Sequence, residues 1–195
     1  MTEDNSRIEL FLLRCAVIQA GVRLSIRDYD VSAEIEDDSS LDEYVKQFEI
    51  ENRKNATRMS HYYKIFYMLE NDIRRLIVET MEAAHGTKWW DTHAPTGAKD
   101  EAAKNRAREA QAAITPRSDD DIDYITFGQL WDVMRENWVD FAGMLSNQSA
   151  VGRVLSALNM LRGTIAHCGI LAEDEVDRLN LAIKDWFRVL QGPSK

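Results

Sequence analysis

Apolar residues recur along this chain at the three-and-four spacing of amphipathic helices, and the longest such run lies near its middle. From about Ala56 to His85 the positions Tyr62, Phe66, Leu69, Ile73, Leu76 and Thr80 form one inner seam, supported by Tyr63 and Ile77. Gly86 follows directly and reads as a helix stop. His85, in the last turn, places a cation at the negative helix end. Two amphipathic segments precede this helix. Ile8, Phe11, Leu12, Cys15, Ile18, Val22 and Ile26 share one face, with Arg14 and Arg23 off it. Arg27 to Asp30 ends that segment, and an acidic loop runs from Glu34 to Ser40. Ser40 then caps a helix with the apolar face Leu41, Tyr44, Val45 and Phe48, and Glu43 stands in the capping-box position.

Downstream, Trp89 and Trp90 lie in a loop that includes Pro95 and read as core anchors. Gly97 to Ile114 is alanine-rich with interleaved charges, the pattern of a mobile, solvated helix, and it is also the most basic stretch of the chain. The run Asp119-Asp120-Asp121 lacks the ligand spacing of a calcium loop and reads as a solvated turn. Thr126 starts a helix through Leu130, Val133 and Met134, with Trp131, Trp138 and Phe141 adding bulk. Another helix begins at Ser149 and carries Val151, Leu155, Leu158 and Leu161. The last begins at Glu173, with Val176, Leu179, Leu181, Ile183, Trp186, Val189 and Leu190. No strand pattern competes with these helices. The expected fold class is all-α.

Composition narrows the function. A chain of 195 residues with 45% hydrophobic and 29% charged residues can bury a substantial core. Its formal net charge of −9 argues against broad, sequence-independent binding of nucleic acid, which needs a basic surface. A small local cationic cleft remains compatible with that charge. Cys15 and Cys168 form no CxxC pair, so neither a disulfide framework nor a thiolate zinc site is indicated. The acidic first residues are unlike a signal peptide. Charges interrupt the apolar run from Ile8 to Ile26, so it is a poor membrane span. The expected location is the cytoplasm.

The most informative chemistry lies near the C-terminus, where Arg162 and His167 are set in an otherwise apolar segment. Histidine moves a proton to or from an oxygen at neutral pH. Arginine binds non-bridging phosphate oxygens through its planar fork. Together they suit metal-free cleavage of a phosphodiester, with the ribose 2′-hydroxyl as nucleophile. Spacing alone leaves open a satisfied helix-end histidine beside a salt-bridged arginine. Five positions correspond to roughly 140° around an ideal helix, so a compact site requires the helix to end or distort between them, or a second subunit to complete it. Gly163 and Gly169 are the candidate points of distortion. Glu70, on the long helix, is spaced to pair with Arg74 at i, i+4.

The segment Leu158 to Gly169, with its Arg-x4-His pair, resembles the Swt1-like branch of the HEPN superfamily, whose members carry Arg-x4–6-His at this place. The resemblance extends through Tyr67 to Ile77, Gly86 to Trp90, Asp123 to Trp131 with Asn137-Trp138, and Leu171 to Val176, in the family's order. It covers about Met59 to Leu190. What it implies is an HEPN-like helical bundle over 55–195. Residues 1–54 form a helical extension outside the resemblance, expected to pack on that core because its two amphipathic helices must bury their apolar faces. The resemblance further implies a metal-independent endoribonuclease that needs no cofactor, with Arg162 and His167 catalytic and Glu70 and Gly163 accessory. Glu70 stands where related proteins carry an acidic residue reaching the cleft, in position to orient Arg162 or His167 as an alternative to its pair with Arg74. HEPN ribonucleases pair two protomers about one cleft, so a homodimer is expected, with RNA as substrate. An antitoxin or defence-system protein is the implied partner, in bacterial defence or a toxin–antitoxin system. The alternative is a non-catalytic HEPN module that dimerises and binds RNA or a protein. The chain departs from the family at Gly163, where HEPN ribonucleases most often have asparagine.

Overall fold

The computed structural model describes residues 41–145 and 147–192. Among the described residues there are eight α-helices, one 3-10 turn and no strand, so the all-α expectation holds. In chain order they are α1 (Asp42–Val45), α2 (Ile50–His85), α3 (Trp89–His93), α4 (Thr96–Gln111), the 3-10 turn (Asp121–Tyr124), α5 (Phe127–Glu136), α6 (Trp138–Phe141), α7 (Gln148–Ala166) and α8 (Glu173–Val189). The expected helix from Ile8 to Ile26 and the Ser40 cap lie outside the described residues.

Helix α2 is the spine of the bundle and packs on α3, α5, α6 and α7. It starts at Ile50, six residues before the expected Ala56, because adding a turn to an existing helix avoids the nucleation cost even where no apolar face is present. The seam is Ile65, Phe66, Leu69, Ile73, Leu76, Ile77 and Met81. Tyr62 and Thr80 lie at its margin, and Tyr63 is exposed instead of supporting it. The apolar residues of the α1 region (Leu41, Tyr44, Val45 and Phe48) are likewise exposed.

Capping and close approach set the remaining helices. Thr126 and Gln129 form a reciprocal capping box at the start of α5. Buried Asn137 ends that helix and starts α6, its Nδ2 donating to the carbonyls of Val133 and His93. Asn147 caps α7 by accepting from the Ala150 N–H at 3.1 Å, just ahead of the expected Ser149. Gly152 lets α7 lie against α5, since a Cβ there would stand 2.8 Å from Trp131 Cζ2. Leu181, expected in the core of α8, is exposed.

Helix α4 is anchored and not the mobile, solvated helix its composition suggested. Ala98 and Ala102 are buried, and Asn105 donates to the Tyr124 carbonyl. Arg106 pairs with Asp121 and stacks 4.2 Å from the Tyr124 ring centre, so the acidic run is tied down at this residue. Glu109 accepts from both the backbone N–H and Nε of Arg117. Burial pushes the Glu109 carboxyl up, but those two hydrogen bonds and the Arg117 charge outweigh it and hold the group below its ordinary value. This tie therefore stabilises the fold above the ordinary carboxyl range and is lost as pH falls through the depressed value. Trp89 is buried in the short helix α3, with Trp90 edge-on against it, so both are core anchors.

Candidate functional site

Four residues of α2 (Tyr63, Tyr67, Glu70 and Arg74) follow one another at i, i+4, i+7 and i+11, which puts them in one stripe along the helix. Arg74 closes the inner end of this stripe. It donates to Glu70 Oε1 and to the carbonyls of Ile122 and Ile125, joining α2 to the segment that leads into α5. The other oxygen, Glu70 Oε2, lies 3.4 Å from Arg162 Nε on α7. Glu70 thus realises both relations its position allowed: the i, i+4 pair with Arg74 and the contact with Arg162. Its side chain is only 16% exposed, so the carboxylate works where water screens it weakly.

Arg162 is held at one edge and open at the other. Among the described residues its terminal amino groups donate no hydrogen bond, and 38% of its side chain is exposed. It faces an open cleft of about 410 Å³ lined by Tyr63, Tyr67, Glu70, Asn71, Arg74, Arg117, Asp123, Ile165 and Ala166 among others. Arg117 also lines this cleft, with its guanidinium carbon 5.0 Å from the Tyr124 ring centre. Its Nε is taken by a carboxylate, that of Glu109, and its terminal groups make no hydrogen bond among the described residues. Two arginines therefore line one concavity in an acidic protein. Arg117, Tyr63 and Tyr67 were not singled out for this site from the sequence. The i, i+4, i+7 spacing of both tyrosines with Glu70 was the available signal for the latter two.

The structure does not bring His167 into this cleft. Helix α7 runs without a break through Gly163 to Ala166, and the His167 N–H still bonds the Gly163 carbonyl at 3.1 Å. Gly163 is a regular helical residue, and a Cβ placed on it would meet nothing within 4 Å. The distortion comes later. Cys168 adopts a left-handed φ of 58°, and the Cys168 and Gly169 N–H groups bond the Ile165 and Thr164 carbonyls. This double bond pattern is a Schellman end. It leaves His167 as the exposed C-cap, one residue beyond the cleft wall at Ala166, with no side-chain hydrogen bond among the described residues. Gly169 is required in the next position, since its Cβ would lie 2.7 Å from Thr164 Cγ2 and 3.0 Å from the Thr164 carbonyl oxygen.

The family model for Swt1-like HEPN domains matches residues 64–191. The chain belongs to the Swt1-like HEPN family. Glu70, Arg162 and His167 all fall inside the matched region, and the bundle α2–α8 is the HEPN fold of this chain. HEPN domains are typically ribonucleases or nucleotide-binding modules. No curated protein and no solved structure matches this chain. Among the described residues no helix is long and apolar enough to cross a membrane, and no group of three or more histidine, cysteine or acidic side chains is arranged to hold a metal ion.

Proposed function

We propose that this HEPN protein is a metal-independent endoribonuclease of the cytoplasm, working as a homodimer in bacterial defence or a toxin–antitoxin system. The observation that carries the reading is the pairing of Arg162 with Glu70 at the wall of an open cleft, with exposed His167 at the end of the same helix. Glu70 orients Arg162 so that its free edge meets the phosphate. His167 takes the proton from the ribose 2′-hydroxyl as the 2′-oxygen bonds to phosphorus. The bond from phosphorus to the 5′-oxygen then breaks, and that oxygen is protonated by a second acid. Because His167 lies outside the cleft of its own chain, both proton transfers are assigned to a composite site built by two copies, in which the His167 of one copy is the base and the His167 of the other supplies that acid. The two-fold axis would then pass near the α7 ends.

The deciding experiment is cleavage of single-stranded RNA in excess EDTA. The expected product carries a 2′,3′-cyclic phosphate, and neither DNA nor 2′-O-methylated RNA is cut. If the protein and its Gly163→Asn variant both leave a broad panel of RNAs intact, the protein is a non-catalytic HEPN module. Residues 1–54 are proposed to serve as an extension of this domain. A proteolytic fragment starting near Asn55 that keeps full stability would refute that assignment.

A further inference from the structure

On the outer half of the cleft wall, Tyr63 and Tyr67 are 59% and 60% exposed, an unusual display for two aromatic side chains one helical turn apart. Their ring centres are 6.3 Å apart with planes tilted by 37°, so they offer two separate surfaces and not one stacked pair. Neither hydroxyl makes a hydrogen bond among the described residues. The rings rise from the same stripe as Glu70, about 4.5 Å and 10.5 Å along the axis from it. Both line the same cleft as Arg117 and Arg162.

We infer that Tyr63 and Tyr67 form a stacking platform for two unpaired bases of single-stranded RNA, next to a phosphate held by Arg162. The inference rests on the ribonuclease reading and names how that site chooses its substrate. Bases in a stacked strand step by about 3.4 Å, whereas these rings stand nearly twice as far apart. A strand lying on both is therefore pulled open, one base to each ring. That opening serves the reaction. In a stacked helical strand the 2′-oxygen does not lie in line with the leaving 5′-oxygen, and a splayed linkage can rotate into that alignment. Aromatic stacking accepts any base, so the platform selects for single strands and not for sequence. The two guanidinium forks give the backbone its counter-charge locally, which reconciles RNA recognition with a net charge of −9.

The test is binding of a labelled 2′-fluoro RNA, which lacks the attacking hydroxyl, by wild type and by Tyr63→Ala, Tyr67→Ala and the two Tyr→Phe variants. A matching oligonucleotide is abasic at its central positions, and light scattering is recorded for every variant. Each alanine variant should bind the intact oligonucleotide roughly tenfold more weakly, while each phenylalanine variant binds as wild type. The abasic oligonucleotide should bind wild type weakly, and the alanine changes should weaken it no further. Equal binding of the intact oligonucleotide by wild type and alanine variants overturns the platform, and so does failure of wild type to bind either oligonucleotide. Equal losses on both oligonucleotides with a change in molecular mass also overturn it, because the face then packs on a second chain. The ribonuclease reading is judged separately on unmodified RNA. Base-dependent binding without cleavage keeps the platform and removes the nuclease.

Discussion

The two halves of α7 place the same residue type in opposite surroundings. In the first half, Val151, Leu155 and Leu158 are buried, and Gly152 is present because Trp131 occupies the space a side chain would need. In the second half, Gly163 faces open space beside half-exposed Arg162, and the helix ends at exposed His167. The first glycine is a packing requirement. The second is not, so its presence beside Arg162 has no steric explanation. One helix therefore carries a packing half and a half that holds the proposed site, joined near Leu161.

The sharpest break of this comparison is in activity. His167→Ala should lower RNA cleavage by roughly 10²–10⁴-fold through loss of a proton-transfer group. Arg162→Ala should lower it by at least about 10²-fold through loss of charge stabilisation at phosphorus. Arg153→Ala, on the exposed side of the first half, should change cleavage by no more than about threefold. All three proteins should keep their helical signal and melting temperature. A loss for Arg153→Ala as large as that for Arg162→Ala would dissolve the division.

The helical architecture was legible because α2, α5, α7 and α8 each bury one apolar stripe, and periodicity reports such stripes directly. Arg162 and Glu70 were legible too, since each sits at a fixed place in a long helix. Three features were not. The anchoring of α4 depends on Arg106, Glu109 and Arg117 finding partners across the fold, and composition shows only that the segment is charged. Tyr63 shares a spacing with the core seam, so its exposure follows from which side α2 leaves uncovered. The end of α7 was sought at a glycine, and the left-handed residue is Cys168, with Gly169 needed one position later for clearance.

Next in size are effects on stability. Gly152→Leu should force the Trp131 ring out of place and destabilise by about 2–3 kcal/mol. That corresponds to a melting temperature lower by roughly 4–12 °C. Gly163→Ala should act in the other direction. It adds helix propensity without a contact and should stabilise by up to about 1 kcal/mol. Gly163→Asn should leave stability nearly unchanged. Because its side chain has room beside Arg162, it should raise cleavage above wild type if glycine weakens this site. Thermal unfolding of the three variants, with cleavage of one RNA, reads both effects. A destabilised Gly163→Ala would mean that this position is not open.

The smallest effect comes from the Schellman end itself. Cys168 occupies a left-handed conformation that costs a residue with a Cβ about 1–2 kcal/mol. Glycine avoids that strain but gives the unfolded chain more freedom, worth about 0.5–1 kcal/mol. Cys168→Gly should therefore stabilise by a net of about 0.5 kcal/mol. The neighbouring Gly169→Ala should destabilise, since its new methyl meets the backbone oxygen of Thr164 at 3.0 Å as well as the flexible Cγ2. Opposite signs at adjacent positions are a signature that general loop softness does not produce. Urea unfolding of the two variants measures both. A stabilised Gly169→Ala, or a Cys168→Gly variant less stable than wild type, would show that α7 does not end in this way and that His167 is not held at its C-cap.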